Sequence, residues 1–149
     1  MTTQAAFPLT AAQSGVYAAP AAPAALAELE AAARAAGLTW FELDLAGVRD
    51  QGALMASCRR VFGLPSSFGD NWDALADTLG DFSWAPAHGY VVVLRNGGAF
   101  ARHSPHEFAT VLAILASTAM YWAGKQKVFA ALMDDDTRRA LNLKALPRQ

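Results

Sequence analysis

Four aspartates share one 21-residue stretch: "LPSSFGDNWDALADTLGDFSW" (residues 64–84) contains Asp70, Asp73, Asp77 and Asp81 and not one Lys or Arg. Carboxylates so placed could divide acid and base roles in catalysis, or present negative charge to a cationic partner. Catalysis needs two carboxyls whose surroundings push their pKa values apart, and a glycosidase-type pair must also flank the bond to be cut. Asp73 and Asp77 stand on adjacent turns of one helix, both exposed, with nothing to make them differ. Taking Asp70 as the helix cap and 100° per residue, all four aspartates fall within an arc of about 80°. Trp72, Leu75 and Leu79 point the opposite way, with Ala76 beside them, so the expected helix has a core face and an anionic face.

Part of this has a local explanation. Asp70 can cap the helix, and Asp73 in the first turn is favoured by the backbone dipole. Asp77 and Asp81 sit toward the end where negative charge is disfavoured. Each also has a like charge four residues earlier, at a cost of about 0.2–0.5 kcal/mol per pair. The chain carries −1 and this segment −4, which leaves +3 for the rest. A solvated acidic face is the plain reading of such a run. The sharper one is that a partner supplies the cations: a row of carboxylates on a rigid helix resembles a row of phosphates.

The elements that must position this helix can be read on either side. "TWFELDL" (residues 39–45) alternates, with Phe41, Leu43 and Leu45 on one face and Glu42 and Asp44 on the other, as a strand with a solvated side does. Leu54, Cys58, Val61 and Phe62 form the apolar face of a helix ended by Gly63 and Pro65. "YVVVL" (residues 90–94) is a continuous β-branched run suited to a strand buried on both faces, closed by "NGG". Residues 105–122 read as a long helix and "KVFAALM" (residues 127–133) as a last strand. Before them, residues 24–36 form an N-terminal helix with Leu26, Leu29, Ala33 and Ala36 on one face and a Glu30–Arg34 pair outside. The order predicts an α/β fold, a small three-stranded parallel sheet flanked by helices, with the N-terminal helix as an extra. The expected organisation is an Ala/Pro-rich arm over residues 1–23, a domain over 24–133 and a polar tail over 134–149.

Composition bounds the function. With 149 residues, 54% of them hydrophobic and 17% charged, the chain is long enough for one domain with a real core. A net charge of −1 excludes a strong electrostatic footprint for RNA or DNA. The single cysteine, Cys58, cannot form an internal disulfide, so a reducing compartment is expected; it lies on an apolar helix face, where inert packing is expected over reactivity. The start of the chain lacks the basic residues of a secretion signal, and the apolar window "FATVLAILASTAMYWAG" is short and Ala/Ser/Thr-rich for a membrane span. A soluble, cytoplasmic protein is the expectation, with no membrane partner. "HSPH" (His103 and His106) is too sparse for a metal site without nearby Cys or an acidic cluster. No Gly-rich phosphate loop, nucleophile elbow or Ser/His/Asp arrangement is visible, so no enzyme, metal or cofactor is expected.

"LPSSFGDNWDALADTL" resembles the signature of the barstar family, intracellular inhibitors of secreted bacterial ribonucleases. "LDLAGVRDQGALMASCRRVFGLP" upstream and "GYVVVL" downstream are similar to that family's first strand, first helix and second strand. The resemblance spans roughly residues 40–133 and implies a protein partner, a basic ribonuclease or related toxin, whose active site the acidic loop and helix occlude. It implies that Asp77 is the dominant carboxylate, entering the phosphate subsite, and Asp73 a second anionic contact. Asn71 and Gly69 become contacts at the helix start, and Phe82 the counterpart of an aromatic edge residue; Asp81, on the same acidic face, is expected to add a further anionic contact. Two positions depart from the pattern: Ser67 replaces a tyrosine and Ala76 a tryptophan. Loss of those two aromatic anchors favours the alternative of a binding module for another toxin or a regulatory protein.

Overall fold

A computed structural model describes residues 10–65, 68–82, 86–139 and 141. A 3-10 turn (Ala11–Gln13) leads into β1 (Gly15–Ala18), followed by α1 (Pro23–Ala35), β2 (Leu38–Asp44), α2 (Gln51–Phe62), α3 (Trp72–Leu79), β3 (Gly89–Arg95), α4 (Gly98–His103), α5 (Pro105–Gly124), β4 (Val128–Met133) and α6 (Asp135–Arg138). The sheet is parallel throughout and has four strands in the order β1-β4-β3-β2, not the expected three.

The fourth strand comes from the segment read as an arm. β1 is only four residues long and pairs Gly15 with Ala130 through Ala18 with Met133. Its two large side chains, Val16 and Tyr17, are adjacent and pack into different cores on the two faces of the sheet. So short a strand shows no repeating alternation along the chain. Its edge is also fixed by a side chain: Ser14 Oγ accepts from Phe129 N at 3.0 Å.

β3 is buried from Gly89 to Leu94, as its β-branched run requires, and sends Tyr90, Val92 and Leu94 to one core and Val91 and Val93 to the other. Gly89 is obligatory there, because a Cβ would stand 2.8 Å from the Val128 carbonyl oxygen and 2.9 Å from Leu38. The larger core lies under α2, α3 and α5. The smaller lies under α1, whose Leu29 and Ala33 meet Leu38 and Trp40 of β2. Only the C-terminal half of β2's second face is thus solvated, at Glu42 and Asp44. There the Trp40 indole N–H and the Arg95 guanidinium each donate to Glu42 at 3.0 Å. Those donors hold the Glu42 carboxyl below its ordinary range.

α2 starts at Asp50, whose carboxylate accepts from Ala53 N at 2.8 Å, and ends at Gly63 in the left-handed region. Cys58 is 2% exposed on its inner face, and burial pushes its thiol up from 9.0 to about 12. Cys58 should therefore resist thiol-specific alkylation in the folded protein at pH 8 and react fully in denaturant. Equal rates in both states would place the thiol outside the core. The stability lent by keeping the thiol neutral is complete below about pH 9 and declines as pH climbs toward 12.

α5 is 20 residues long and, among the described residues, the one helix long and apolar enough by length and composition to cross a membrane. In this fold its inner face, Phe108, Val111, Leu115, Ala119 and Trp122, packs into the larger core. Beyond β4 the chain does not leave at once: Asp134 caps α6, and the fully buried Thr137 accepts from Gly97 N at 2.8 Å. The segment read as a polar tail is thus anchored at least through Arg138.

Candidate functional site

The acidic helix is shorter than its sequence suggests. α3 holds eight residues, and its cap is Asn71, whose side-chain oxygen accepts from Ala74 N at 2.8 Å, instead of Asp70. Only Asp73 and Asp77 therefore belong to the helix, while Asp70 and Asp81 flank it. Asp70 has φ 56 and turns toward α2, where Arg59 Nη2 donates to it at 2.7 Å. The expectation that no cation stands beside this segment is corrected at that residue. A shift of the cap by one position is physically small, since Asp and Asn cap equally well; Asp70 instead pairs with Arg59.

Arg59 is the residue the sequence reading missed. Besides Asp70 it donates to the Phe68 carbonyl at 3.1 Å, and its guanidinium lies 5.3 Å from the centre of the Phe68 ring. Phe68 is itself 7% exposed, so one arginine fixes the exit of the loop from both its backbone and its ring. Asn71 Nδ2 adds a bond to the Gly69 carbonyl at 3.3 Å. Nothing in residue type announces this role: Arg59 is eleven positions before Asp70, and the loop must already be folded for the two to meet. Ser67, the position of the missing tyrosine, lies outside the described residues.

Asp73 and Asp77 are exposed at i,i+4 spacing on one face of α3, and among the described residues neither has an ion-pair or hydrogen-bonding partner. Leu75 and Leu79 on the opposite face are 2% and 1% exposed, and Trp72 packs half-buried beside them. The helix is anchored at its far end by Trp122, whose indole N–H donates to the Leu79 carbonyl at 2.8 Å. The two carboxylates thus sit on a rigid element with their charge unmet. Asp81, also exposed, follows in the turn after Gly80.

Phe82 is a correction. Expected as an aromatic edge contact, it is 1% exposed and central to the larger core. Its ring stacks on Tyr90 with centroids 4.0 Å apart and meets Phe41 at 5.8 Å, Phe62 at 6.3 Å and Trp122 at 6.3 Å. The turn after α3 folds it inward with φ 49, a left-handed conformation that favours glycine, so the aromatic packing must outweigh a local backbone cost of about 1–2 kcal/mol.

Ala76, where the family pattern has tryptophan, is exposed and borders a groove of 730 Å³ between α3 and α5. Asp77 and Gly80 continue that wall, and Ala109, Ala113 and Tyr121 stand across it on α5. His106 lies at the same groove, while His103 Nε2 is 3.1 Å from Arg49 Nη1, an exposed contact away from it.

No curated protein matches the chain. Among solved structures it is similar to the ORC2 protein of Aeropyrum pernix in its ADPNP–ADP complexes, with a TM-score of 0.54 at 13% identity. The similarity covers 86% of this chain but 36% of that one, and at this identity it is a likeness of fold alone. The family model described as "Barstar (barnase inhibitor)" matches residues 38–134. That span runs from the first residue of β2 to the cap of α6, includes the Arg59-braced loop and α3, and is more than half of the chain: the protein belongs to the barstar family.

Proposed function

We propose that this protein inhibits a bacterial ribonuclease, as the cytoplasmic immunity partner of a basic toxin, by laying the loop at residues 65–69 and α3 into the enzyme's active-site cleft. The observation that carries this reading is the pair of exposed carboxylates, without a partner among the described residues, on a braced helix, in a family described as a barnase inhibitor. Asp77 meets the Arg, Lys and His groups that otherwise hold the scissile phosphate. Asp73 adds a second anion one turn earlier, and Asn71 and Gly69 offer polar contacts at the helix start. Arg59 acts at one remove, holding Phe68 and Asp70 in place before the helix so that less ordering is needed there on association. No bond is made or broken by this chain.

Long-range attraction between an acidic helix and a basic enzyme raises the association rate and is screened by salt, with a Debye length of about 10 Å at 0.1 M. The expected result is an on-rate that falls at least about tenfold between 0.02 and 0.5 M NaCl, with a much smaller change in the off-rate. Stopped-flow mixing with a guanyl-specific microbial ribonuclease reads both rates, and a flat on-rate would contradict the steering.

A second reading has a specific observation behind it. Ala76 leaves a groove where the family pattern has a tryptophan, so the partner's surface is expected to differ from that of the prototype's enzyme. A barstar-fold module for another toxin or a regulatory protein uses the same face. The nucleotides named with the Aeropyrum pernix structure carry no reading over to this chain: after β1 it runs Ala19, Pro20, Ala21, Ala22, without the glycines and lysine of a phosphate loop.

A further inference from the structure

The groove between α3 and α5 exists because neither helix fills it. Ala76 and Gly80 face Ala109 and Ala113 across it, while the Trp122–Leu79 bond and the larger core set the helices' spacing from below. Its hydroxyls are mostly turned to the backbone: Thr110 Oγ1 donates to the His106 carbonyl at 3.0 Å and Thr118 Oγ1 to the Ile114 carbonyl at 2.7 Å. The surface left open is mainly apolar, the methyl groups of Ala76, Ala109 and Ala113, with the His106 ring and the Ser117 hydroxyl on the lining and the half-exposed ring of Tyr121. At 730 Å³ it has the size of sites that take a bulky organic group. One lip carries the exposed carboxylate of Asp77, without a partner among the described residues, and Asp73 stands one turn beyond.

An apolar trough beside an unmet negative charge selects an occupant with both complements. We infer that this groove receives a protruding aromatic side chain of the protein partner, with a cationic residue next to it that reaches Asp77. The arrangement inverts the expected interface: a large anchor on this chain is replaced by a cavity, and the partner supplies the anchor. This inference rests on the reading that α3 faces the partner. It adds a requirement for that partner's surface, since a flat basic face would leave the groove unfilled, and a ring without an adjacent cation would leave Asp77 uncompensated.

The test uses the full chain and a probe carrying ring and cation together, 2-phenylethylguanidine, against its anionic counterpart 3-phenylpropionate. Backbone amide NMR shifts are followed for each. The expected result is saturable shifts by the guanidine, centred on Ala76, Asp77, Gly80, Ala109 and Ala113, and none by the carboxylate. Ala113→Leu, at an exposed helix position that tolerates leucine, fills the trough and weakens the probe by about tenfold, the usual scale for crowding a packed site by a few methylenes. Asp77→Asn weakens it with the groove left intact. Equal response to both probes, shifts centred elsewhere, or binding indifferent to Ala113→Leu would overturn the proposal. Saturable binding here without inhibition of any ribonuclease would sink the inhibitor reading and leave the groove assignment standing. Ribonuclease inhibition unchanged by Ala113→Leu would do the reverse.

Discussion

Asp77→Ala is expected to remove inhibition while leaving the free protein as stable as before. Truncating one member of a buried, hydrogen-bonded charge pair in an interface costs about 2–5 kcal/mol, which is a loss of roughly 30-fold to several thousand-fold in affinity. In the free protein the same change removes a charge that repels Asp73 one turn earlier, a term of about 0.2–0.5 kcal/mol, so stability should hold or rise slightly. Few substitutions separate function from folding so cleanly. The reason is structural: Asp77 is exposed and unpartnered among the described residues, while the fold of α3 rests on Leu75, Leu79 and the Asn71 cap. A clear drop in the denaturation midpoint would mean that Asp77 has a structural role in the free protein.

The second large effect runs the other way. Phe82→Ala is expected to cost about 3–5 kcal/mol, as truncation of a fully buried aromatic does. Its ring stacks on Tyr90 and closes a cluster with Phe41, Phe62 and Trp122, drawn from β2, α2, β3 and α5. That loss is a large share of the about 5–15 kcal/mol typical of a whole domain, so the denaturation midpoint should fall steeply. Urea denaturation of the variant measures it. A cost under about 1 kcal/mol would place the ring outside the core and restore it to the surface. Together the two variants divide the segment. On the proposed reading Asp77 serves the interface, while Phe82 is part of the core, although they stand only five residues apart and the family resemblance sets both at the contact surface.

That contrast shows what a sequence can and cannot convey about this molecule. β3 was legible because burial on both faces leaves an unbroken apolar run, and α3 because Leu75 and Leu79 alternate with Asp73 and Asp77 at helical spacing. β1 was not, since four residues with Val16 and Tyr17 pointing into different cores show no period. α4 lay hidden behind "NGG", where Asn96 and Gly97 make the turn and Gly98 already starts a helix. The signature motif located the acidic segment, but its details depended on tertiary partners. Arg59 pairs with Asp70 across eleven residues while Asn71 caps the helix, and a left-handed turn places Phe82 in the core and not at the edge. The groove at Ala76 was visible only as an absent tryptophan; its walls come from α5, some thirty residues further on, and spacing within α3 carries no trace of them.

Whether the 65–69 loop and α3 occlude a ribonuclease active site, as proposed, is decided by one titration. RNA cleavage by a guanyl-specific microbial ribonuclease is followed as this protein is added, at low salt and with circular dichroism confirming that it is folded. The expected result is a linear fall in activity to zero at one molecule of this protein per enzyme, and no fall over the same range with Asp77→Ala. Undiminished cleavage in the presence of excess folded protein, or inhibition equally strong with the alanine variant, would contradict it.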